Sequence, residues 1–402
     1  MKLIIIAYKN LLRNTRRTFT ILLTITCGMG ALFLYHGFNS GIMNQYKFNC
    51  IRSRYGHGQI NLKNYLDQTY EKPWEHWIEN YSEVESFLKE QPEVKHVFPR
   101  LQFFALLTNG KINVSGRGQG IDGVEEDKFF TAMNVEEGKN LSNEADGIIL
   151  GKGLARTLNV GIGDNVTVLA NTVYGSLNGV DLQVVGIFHT GAKDFDDVVF
   201  RLQLKQAQIL LDTNKVESVS LGLYKDENWQ TVSTLISNRF KNLESIPFEI
   251  LDKVYYKHAV DFLKAQFDAI KMIILVIIIL GIFNTISTAV LERKQEIGNL
   301  RANGESVADV MKLFSLEGLL MGIIGSLLGL FAAWLLNNTI LMNGILMPPS
   351  PGITRQFHVF VELQPGYSLV TFALGLVTSF IATFLATLKV VRRPIGELLR
   401  SH

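Results

Sequence analysis

The stretch Leu291-Glu-Arg-Lys-Gln-Glu-Ile-Gly-Asn-Leu-Arg-Ala-Asn-Gly-Glu305 is a short charged segment between two long apolar runs. The run before it, Lys271–Val290, is about as long as a helix that spans a bilayer. The run after it, Leu313–Ile340, is longer still. A charged segment between two such runs must lie in water at a membrane face, and the rest of the chain can be placed relative to it.

The composition indicates a membrane protein. The chain has 402 residues, of which 47% are hydrophobic and 19% charged, so it is more apolar and less charged than an ordinary soluble protein. Its formal net charge is +2, and no block of Lys and Arg is interleaved with aromatic residues, so we expect no nucleic-acid partner. Cys27 and Cys50 are separated by part of a predicted spanning helix, which argues against a disulfide framework.

Apolar runs of about 18 residues or more predict membrane spans. The apolar run nearest the N-terminus, Phe19–Phe38, is predicted to be a retained helix and not a signal peptide, because it is long and lacks a clear small-residue cleavage site. The four predicted spans are Phe19–Phe38, Met272–Leu291, Leu313–Leu341 and Tyr367–Leu388.

The distribution of Lys and Arg predicts the orientation. The loop between the third and fourth spans contains Arg355 as its one basic residue. Basic residues instead flank the first and last spans, at Lys2, Lys9, Arg13, Arg16, Arg17, Lys389, Arg392, Arg393 and Arg400. Both termini and residues 292–312 are therefore predicted to be cytoplasmic.

These observations predict a membrane α-helical protein with four transmembrane helices and a large α+β periplasmic domain inserted between helices 1 and 2. The predicted segments are a cytoplasmic amphipathic helix (1–18), the first span with its periplasmic extension (19–48), the periplasmic α+β domain (49–255), a stalk and second span (256–291), a cytoplasmic coupling helix (292–312), the third span (313–341), a periplasmic loop (342–366), the fourth span (367–390) and a cytoplasmic tail (391–402).

The first segment, Met1–Arg17, places apolar residues at helical spacing with basic residues on the flanks, which is typical of an amphipathic helix on a membrane surface. The alternative is a basic flank that only sets the topology.

The predicted outer domain mixes helical and strand patterns. A short strand is predicted at Val94–Phe98, ended by Pro99, and a hairpin at Leu101–Val114, turned at Asn109-Gly110. Gly116-Arg-Gly-Gln-Gly120 is too short for a dinucleotide fingerprint, and we interpret it as a turn.

A long stalk helix is predicted to lead into the second span. Between Tyr256 and Lys271 the apolar residues recur every three to four positions and continue without a break into the apolar run. A stiff rod would therefore link the outer domain to the cytoplasmic segment. The residues that define its apolar face are Val260, Leu263, Phe267 and Ile270.

Small residues and one acid mark the third span. Glu317 is the one acid inside its apolar run, and we interpret it as an interfacial carboxylate that reaches headgroup water, with a proton-carrying site as the alternative. Glycines at spacings of four, three and four predict close helix packing, at Gly318, Gly322, Gly325 and Gly329.

We predict no catalytic residue, no metal site and no cofactor bound by this chain. Gly147–Gly153 has the wrong glycine spacing for a phosphate-binding loop. His57, His76 and His96 are far apart, without ligand-type pairing. The acidic group at 194–197 lacks the longer alternation and terminal Glu of a calcium loop.

The segment at 292–304 can form two to three turns of an amphipathic helix along the membrane face, ended by Gly304. The alternative is a solvated loop that only fixes topology. Mixed charges with embedded apolar residues favour a docking surface, whose predicted residues are Glu292, Arg293, Glu296, Ile297, Leu300, Arg301, Asn303 and Gly304.

This segment resembles the coupling segment of ABC transporter permeases of the FtsX-like superfamily, which includes lipoprotein-releasing permeases and MacB-like macrolide exporters. The resemblance extends over nearly the whole chain. Other segments similar to the family lie at Asn10–Thr18, Gly56–Gln59, Gly120–Gly123, Ile148–Val168, Val185–Gly191 and Arg392–Arg400. Four spans with a large domain between the first two resemble the lipoprotein-releasing type most.

The resemblance implies a non-catalytic permease subunit of the bacterial inner membrane that recruits a separate ABC ATPase subunit, which would bind ATP and Mg. It also implies a dimer with a second copy or a paralogue, contact with membrane lipid, and movement of the outer domains through long stalk helices. The family usually has an apolar residue before the coupling glycine, whereas this chain has Asn303 there, followed by Glu305.

Three functions are compatible with this architecture. The first is ATP-driven extraction of a lipoprotein or another hydrophobic substrate, with a periplasmic chaperone as a further partner. The second is efflux of a small molecule or peptide through a periplasmic adaptor. The third is a signal transmitter that moves no substrate and activates a periplasmic enzyme.

Overall fold

The structure is a computed structural model that describes residues 2–68, 72–141, 147–348 and 356–399, without the side chains of residues 2–6, 8, 254 and 255. Residues 349–355 of the predicted loop at 342–366, which include Arg355, and the basic residue Arg400 lie outside the described residues. The chain divides into two compact units. A helical unit contains residues up to Asn44, Asp261–Leu346 and those from His358, and an outer unit contains Gln45–Val260 and Met347–Phe357.

The described helices, in chain order, are α1 (Lys2–Arg13), α2 (Thr15–Cys50), α3 (Tyr65–Gln68), α4 (Tyr81–Lys89), α5 (Gly123–Asp127), α6 (Lys152–Leu158), α7 (Lys193–Asp196), α8 (Leu204–Leu211), α9 (Trp229–Arg239), α10 (Phe248–Leu251), α11 (His258–Glu292), α12 (Lys294–Ala302), α13 (Val307–Thr339), α14 (Pro365–Val391) and α15 (Ile395–Leu399). Two π-helical turns lie at Ile51–Tyr55 and Lys253–Lys257, and two 3₁₀ turns at Pro73–His76 and Asp226–Asn228.

The described strands are β1 (Gly58–Leu62), β2 (Val94–Thr108), β3 (Asn113–Ile121), β4 (Asn134–Gly138), β5 (Gly147–Gly151), β6 (Asn165–Asn171), β7 (Leu177–His189), β8 (Val199–Gln203), β9 (Ser218–Leu223), β10 (Leu243–Pro247), β11 (Ile345–Met347) and β12 (Phe357–Val359).

Among the described residues, four helices are long and apolar enough to cross a membrane, namely α2, α11, α13 and α14. Helix α2 has 36 residues and α11 has 35. At 1.5 Å per residue each is about 50 Å long, well beyond the roughly 30 Å of a hydrocarbon core. The predicted fold class, four spanning helices with a large α+β domain between the first two, is confirmed.

The glycines of α13 face two different helices. A Cβ on Gly318 would lie 2.1 Å from Thr383 Oγ1 of α14, and one on Gly322 would lie 3.0 Å from Ser379 Cβ. One turn and two turns further along, Gly325 lies against Ile25 and Gly329 against Gly30, both on α2. Since no side chain fits in these places, the glycines set how closely α13 approaches α14 and α2.

A closed barrel forms the centre of the outer unit. Strands β2, β3, β8, β5, β7 and β6 pair in that order, and β6 pairs back with β2 through Leu106 and Leu169. A barrel this small encloses side chains and not a channel. Its interior is filled by buried residues that include Leu101, Phe103, Leu107, Leu150, Val168, Leu182, Val184, Phe200 and Leu202.

A second sheet continues from the same long strand. The order β10-β1-β9-β2 uses the first half of β2, where Phe98 pairs with Ser220, whereas the second half of β2 belongs to the barrel. Helices α4 and α9 cover this sheet with Val84, Leu88, Val232 and Ile236, which forms a separate core. Strand β2 therefore links the two cores of the outer unit.

Two local predictions in this region are wrong. The predicted strand Val94–Phe98 does not end at Pro99 but continues to Thr108. Gly116-Arg-Gly-Gln-Gly120 is not a turn but the end of β3. Its glycines face the barrel interior, where a Cβ on Gly118 would lie 2.5 Å from Phe103 Cζ, so they make room for large side chains on neighbouring strands.

A buried ionic cluster lies on the outer face of the barrel. Arg100 and Arg201 are 1% and 0% exposed, and both donate to Glu126, at 2.6 Å from Arg100 Nε to Oε1 and 3.2 Å from Arg201 Nη1 to Oε2. Arg201 Nε also donates to Gln119 Oε1 at 2.8 Å. Arg100 Nη1 donates to the carbonyl oxygen of Arg54, in the π-helical turn that follows α2. The cluster therefore fastens that turn to the barrel wall.

Candidate coupling site

The charged segment Leu291–Glu305 contains a short helix of the helical unit. Helix α12 contains Lys294–Ala302 and follows α11 after one residue, Arg293. It ends in a turn where Gly304 has φ of +93°, a left-handed conformation that glycine adopts without strain. The Ser306 side chain then accepts a hydrogen bond from the Asp309 backbone N–H and caps the first turn of α13.

One face of α12 is buried against the end of the chain. Ile297 is fully buried, and a Cβ on Gly298 would lie 2.9 Å from Leu398 Cβ in α15. Arg301 Nη1 donates to the carbonyl oxygen of Val391 at 2.9 Å, at the last residue of α14. These contacts connect α12 to the C-terminal end of the fourth span.

Charged side chains connect the same segment to the N-terminal helices. Arg13 Nη2 lies 2.8 Å from Glu296 Oε1, and Arg17 Nε lies 3.1 Å from Glu292 Oε2. Arg293 Nε donates to the other oxygen of Glu296 at 2.7 Å. Burial alone would raise the pKa of Glu296, but its hydrogen bonds and charge interactions with Arg293 and Arg13 outweigh burial and lower that pKa. Glu296 is therefore held ionised at neutral pH.

The interpretation of Glu317 from the sequence is wrong. It is not an interfacial carboxylate in headgroup water, because it is 3% exposed and receives hydrogen bonds from two side chains. Asn10 Nδ2 donates to Oε1 at 2.7 Å, and the Arg293 guanidinium pairs with the carboxylate through Nη1 and Nη2. The guanidinium also lies over the Phe314 ring, 4.3 Å from its centroid. A buried carboxylate with an arginine partner needs no headgroup water.

The remaining face of the segment is open to solvent. Asn303, Gly304 and Glu305 are exposed, together with Asn299 and Ala302, whereas Leu300 is half-buried. The eight predicted docking residues therefore fall into two groups. Asn303 and Gly304 lie on the exposed tip, and Glu292 is exposed beside α2. Five of the eight make contacts inside the helical unit, namely Arg293, Glu296, Ile297, Leu300 and Arg301.

The predicted stalk residues lie on one continuous helix. Val260, Leu263 and Phe267 of α11 are half-buried, and Ile270 is 38% exposed. The helix begins at His258, immediately after the π-helical turn Lys253–Lys257, and continues through the second span to Glu292. Nothing in the sequence signalled that π-helical turn.

The acidic group at 194–197 has structural partners. Asp196 is buried and accepts hydrogen bonds from the backbone N–H groups of Thr190 and Gly191, and Asp197 pairs with Lys193. Within the described ranges no three His, Cys, Asp or Glu side chains are grouped so that they could hold a metal ion.

Sequence reasoning missed Asn10, Arg13 and Arg17 as partners of the coupling segment. The motif that contains them was read as a membrane-surface helix or a topology signal. Acidic residues at 292, 296 and 317 indicate that basic or polar partners are needed. The sequence does not identify them, because Asn10, for example, is 307 positions away from Glu317.

Comparison with known proteins agrees with this architecture. Residues 18–239 match the family described as the MacB-like periplasmic core domain, and residues 269–395 match the family described as the FtsX-like permease C-terminal. The first match ends within the outer unit, and the second begins inside α11 and continues through α14.

Individual relatives have modest identity and wide coverage. The chain is 23% identical over 345 residues to the lipoprotein-releasing system transmembrane protein LolE of Haemophilus influenzae, covering 81% of this chain and 82% of that protein. It is 27% identical over 330 residues to the corresponding LolC of Xylella fastidiosa, with 77% and 78% covered. The periplasmic region of MacB from Actinobacillus actinomycetemcomitans matches at 11% identity and a TM-score of 0.37, over 48% of this chain and 90% of that one.

The family resemblance predicted from the sequence motifs is confirmed by the two family matches. The chain belongs to the ABC transporter permeases that combine a MacB-like periplasmic core domain with an FtsX-like C-terminal membrane region.

Proposed function

We propose that this permease binds a separate ATPase subunit at the exposed tip of the coupling segment, and that ATP hydrolysis drives the outer domain to release a lipoprotein or another hydrophobic substrate from the bacterial inner membrane. Both termini and the coupling segment then lie in the cytoplasm, and the outer domain lies in the periplasm. ATP and Mg bind to the partner subunit.

The observation that carries this proposal is the two-sided character of the coupling segment. Its inner side forms ion pairs with the N-terminal helix and the third span, and it packs against the C-terminal helix. Its outer side exposes a polar tip that consists of Asn303, Gly304 and Glu305, with Asn299 also exposed on that side. A partner that binds this tip would act on several spans at once.

The substrate class is supported by the relatives. LolE and LolC are both described as transmembrane proteins of a lipoprotein-releasing system, and each match covers more than three quarters of both chains. For this chain we therefore propose a lipidated substrate, with a periplasmic chaperone as the acceptor. The exposed Asn303 and Glu305 favour a partner ATPase whose groove is polar or basic.

A second copy or a paralogue is proposed to cover part of the second span. Ile273, Ile277 and Leu280 on α11 are 61%, 63% and 62% exposed. A Cβ on Gly281 would have no atom of the described residues within 4 Å. Lipid covers whatever part of this apolar face the partner permease leaves open.

The direct test is copurification and binding with the full-length protein in detergent or nanodiscs. The tip variant Asn303→Arg should weaken binding of the ATPase subunit about tenfold, an effect of 1.4 kcal/mol, because it adds a bulky positive charge at the docking surface. Membrane insertion and the amount of purified permease should not change. Lys111→Glu, in the exposed turn of the β2–β3 hairpin, is the matched control.

Each result has a clear meaning. Unchanged binding by Asn303→Arg would remove the tip from the docking surface, and absence of any copurified ATPase would contradict the proposed function as a whole. A copurified periplasmic adaptor would favour efflux, and a copurified periplasmic hydrolase would favour signal transmission.

A further inference from the structure

Glu317 is placed where three separate parts of the helical unit meet. It belongs to α13, it accepts a hydrogen bond from Asn10 of α1, and it pairs with Arg293, the residue between α11 and α12. The carboxylate is 3% exposed and the Arg293 side chain 11%. A single buried carboxylate thus joins the N-terminal helix, the third span and the start of the coupling helix.

The network extends from this centre towards water. Arg293 also bonds to Glu296 at 2.7 Å, and Glu296 accepts a hydrogen bond from Arg13 at 2.8 Å. One turn further along the N-terminal segment, Arg17 bonds to Glu292 at 3.1 Å. The N-terminal segment is therefore linked to the coupling segment through Asn10, Arg13 and Arg17, along a path with a buried end and an exposed end.

The energetics of such a network favour a role in orientation. The free-energy cost of moving an arginine and a carboxylate out of water can exceed the gain from their attraction. Proteins in which apolar residues replace such a pair are often equally stable. The hydrogen bonds, in contrast, fix distances and angles between the helices, because a guanidinium binds a carboxylate in only a few geometries. Ile297 and Leu300, the apolar side chains of α12 facing inward, do not supply this directionality.

We propose that Glu317 and Arg293, assisted by Asn10, are positioning residues that make α1, α12 and the cytoplasmic end of α13 move as one body. Movement of the docked partner then reaches the first and third spans directly, in addition to the covalent connection into the second span. This inference rests on the proposed function, because it concerns how movement leaves the docking tip.

The test uses the full-length permease with its ATPase subunit in liposomes that contain a fluorescent triacylated lipopeptide. Glu317→Gln keeps the size of the side chain and an acceptor for Asn10, but removes the charge that holds Arg293. We expect the Kd for the ATPase subunit to stay within about twofold and ATP hydrolysis to continue. Lipopeptide released per ATP hydrolysed should fall at least tenfold, because movement is no longer transmitted.

A charge exchange at the exposed end gives an independent measurement if Glu317→Gln is poorly folded. Glu292→Arg places a positive charge beside Arg17 and should lower release per ATP severalfold. The double variant Arg17→Glu with Glu292→Arg restores an opposite-charge pair and should recover most of the release. If the pair mattered only for folding, the single variant would lower the melting temperature and the amount of folded permease, and release per ATP hydrolysed by the folded protein would not change.

Two outcomes would overturn the inference while leaving the proposed function intact. Release per ATP equal to that of the unaltered protein in Glu317→Gln would mean that the network does not transmit movement. A rise in Kd in proportion to the loss of release would mean that the network only shapes the docking tip. If the unaltered protein shows no ATP-dependent release at all, the proposed function fails and the inference falls with it.

Discussion

Glu126 in the outer unit and Glu317 in the helical unit are both buried carboxylates, 2% and 3% exposed, and both accept hydrogen bonds from arginine. Glu126 lies between Arg100 and Arg201, which are themselves buried. Glu317 lies at one end of a network that reaches Arg13 and Glu292, whose side chains are 64% and 56% exposed. One ionic cluster is closed, and the other opens to water.

The difference follows from what each cluster joins. Arg100 and Arg201 belong to strands β2 and β8 of the same barrel, so backbone hydrogen bonds already fix their separation. Burial lowers the pKa of Arg201 to about 10, with Arg100 adding to that effect and Glu126 opposing it. Among the described residues, α1, α12 and α13 share no backbone hydrogen bond with one another, so their relative orientation depends on side chains. A closed cluster therefore contributes to the stability of a fold, whereas an open one can set an orientation.

The largest effect is expected at Glu126. Glu126→Gln removes the negative charge shared by two buried arginines, and breaking a buried pair in this way costs about 3–5 kcal/mol. The melting temperature of the outer domain in the full-length protein, followed by differential scanning fluorimetry, should fall accordingly. The control is Glu125→Gln at the next position, where the carboxylate is 37% exposed and pairs with Lys128.

We expect Glu317→Gln to keep most of its thermal stability and to lose coupling, because Arg293 stays paired with Glu296 at 2.7 Å. A loss of stability as large as that of Glu126→Gln would contradict the distinction between the two clusters. A Glu125→Gln protein as unstable as Glu126→Gln would show that burial is not what separates the two neighbouring positions.

An intermediate effect is expected where α13 packs against α2. A Cβ on Gly329 would lie 2.8 Å from the carbonyl oxygen of Thr26 and 3.0 Å from the backbone nitrogen of Gly30, and backbone atoms cannot move aside easily. Gly329→Ala should therefore destabilise the helical unit by about 1–3 kcal/mol. Gly281→Ala on α11, with nothing within 4 Å of its built Cβ, is the control.

This measurement separates two ways in which the first and third spans are joined. If Gly329→Ala lowers the melting temperature of the helical unit and Glu317→Gln does not, close packing holds the spans together and the ionic network orients them. Equal melting temperatures for Gly329→Ala and Gly281→Ala would contradict this division.

The smallest effect concerns pH and the outer unit. Burial lowers the pKa of His57 more than the neighbouring Asp226 raises it. Its Nδ1 accepts a hydrogen bond from the Leu223 backbone N–H at 3.0 Å, so a proton at Nδ1 would break that bond. Below the ordinary pKa of about 6.5 the unfolded chain binds a proton that the folded domain resists. Stability should therefore be full above pH 6.5 and decrease as the pH falls towards the lower folded pKa.

Thermal unfolding of the outer domain between pH 7.5 and 5.5 measures this effect. His57→Gln should flatten the pH dependence, leaving a contribution of the same sign from His96, whose pKa is also lowered by burial. A slope that is unchanged in His57→Gln would assign the pH dependence to other groups. The network around Glu317 should show no comparable dependence in this range, because its charged groups are carboxylates and arginines.

The spanning helices were predictable because they depend on continuous runs of apolar residues. The mixed α+β character of the outer domain was also readable from local alternation, and the turn at Asn109–Gly110 lies where its sequence indicates, with Asn109 Oδ1 accepting hydrogen bonds from the Lys111 and Ile112 backbones. These features need information from only a few neighbouring residues.

Features that depend on distant pairing could not be predicted. The barrel closes where Leu106 of β2 meets Leu169 of β6, and no local pattern encodes that partner. Gly118 was read as part of a turn because glycine is common there, whereas its lack of a side chain makes room for Phe103 and Phe200. The acid at 317 was assigned to headgroup water because its partners Asn10 and Arg293 are remote in the sequence or lie in another predicted element.

The shared strand β2 has a consequence for how this family can vary. Val97 and Leu101 point into two different cores on the same strand, so the spacing between them is fixed from both ends. One residue inserted beside Pro99 would exchange the inward Phe103 with the outward Phe104 and turn the rest of the strand inside out. Insertions should therefore be tolerated at the Asn109–Gly110 turn and selected against within β2. The length of this strand should be constant among distant relatives, so it can serve as a reference when their sequences are aligned.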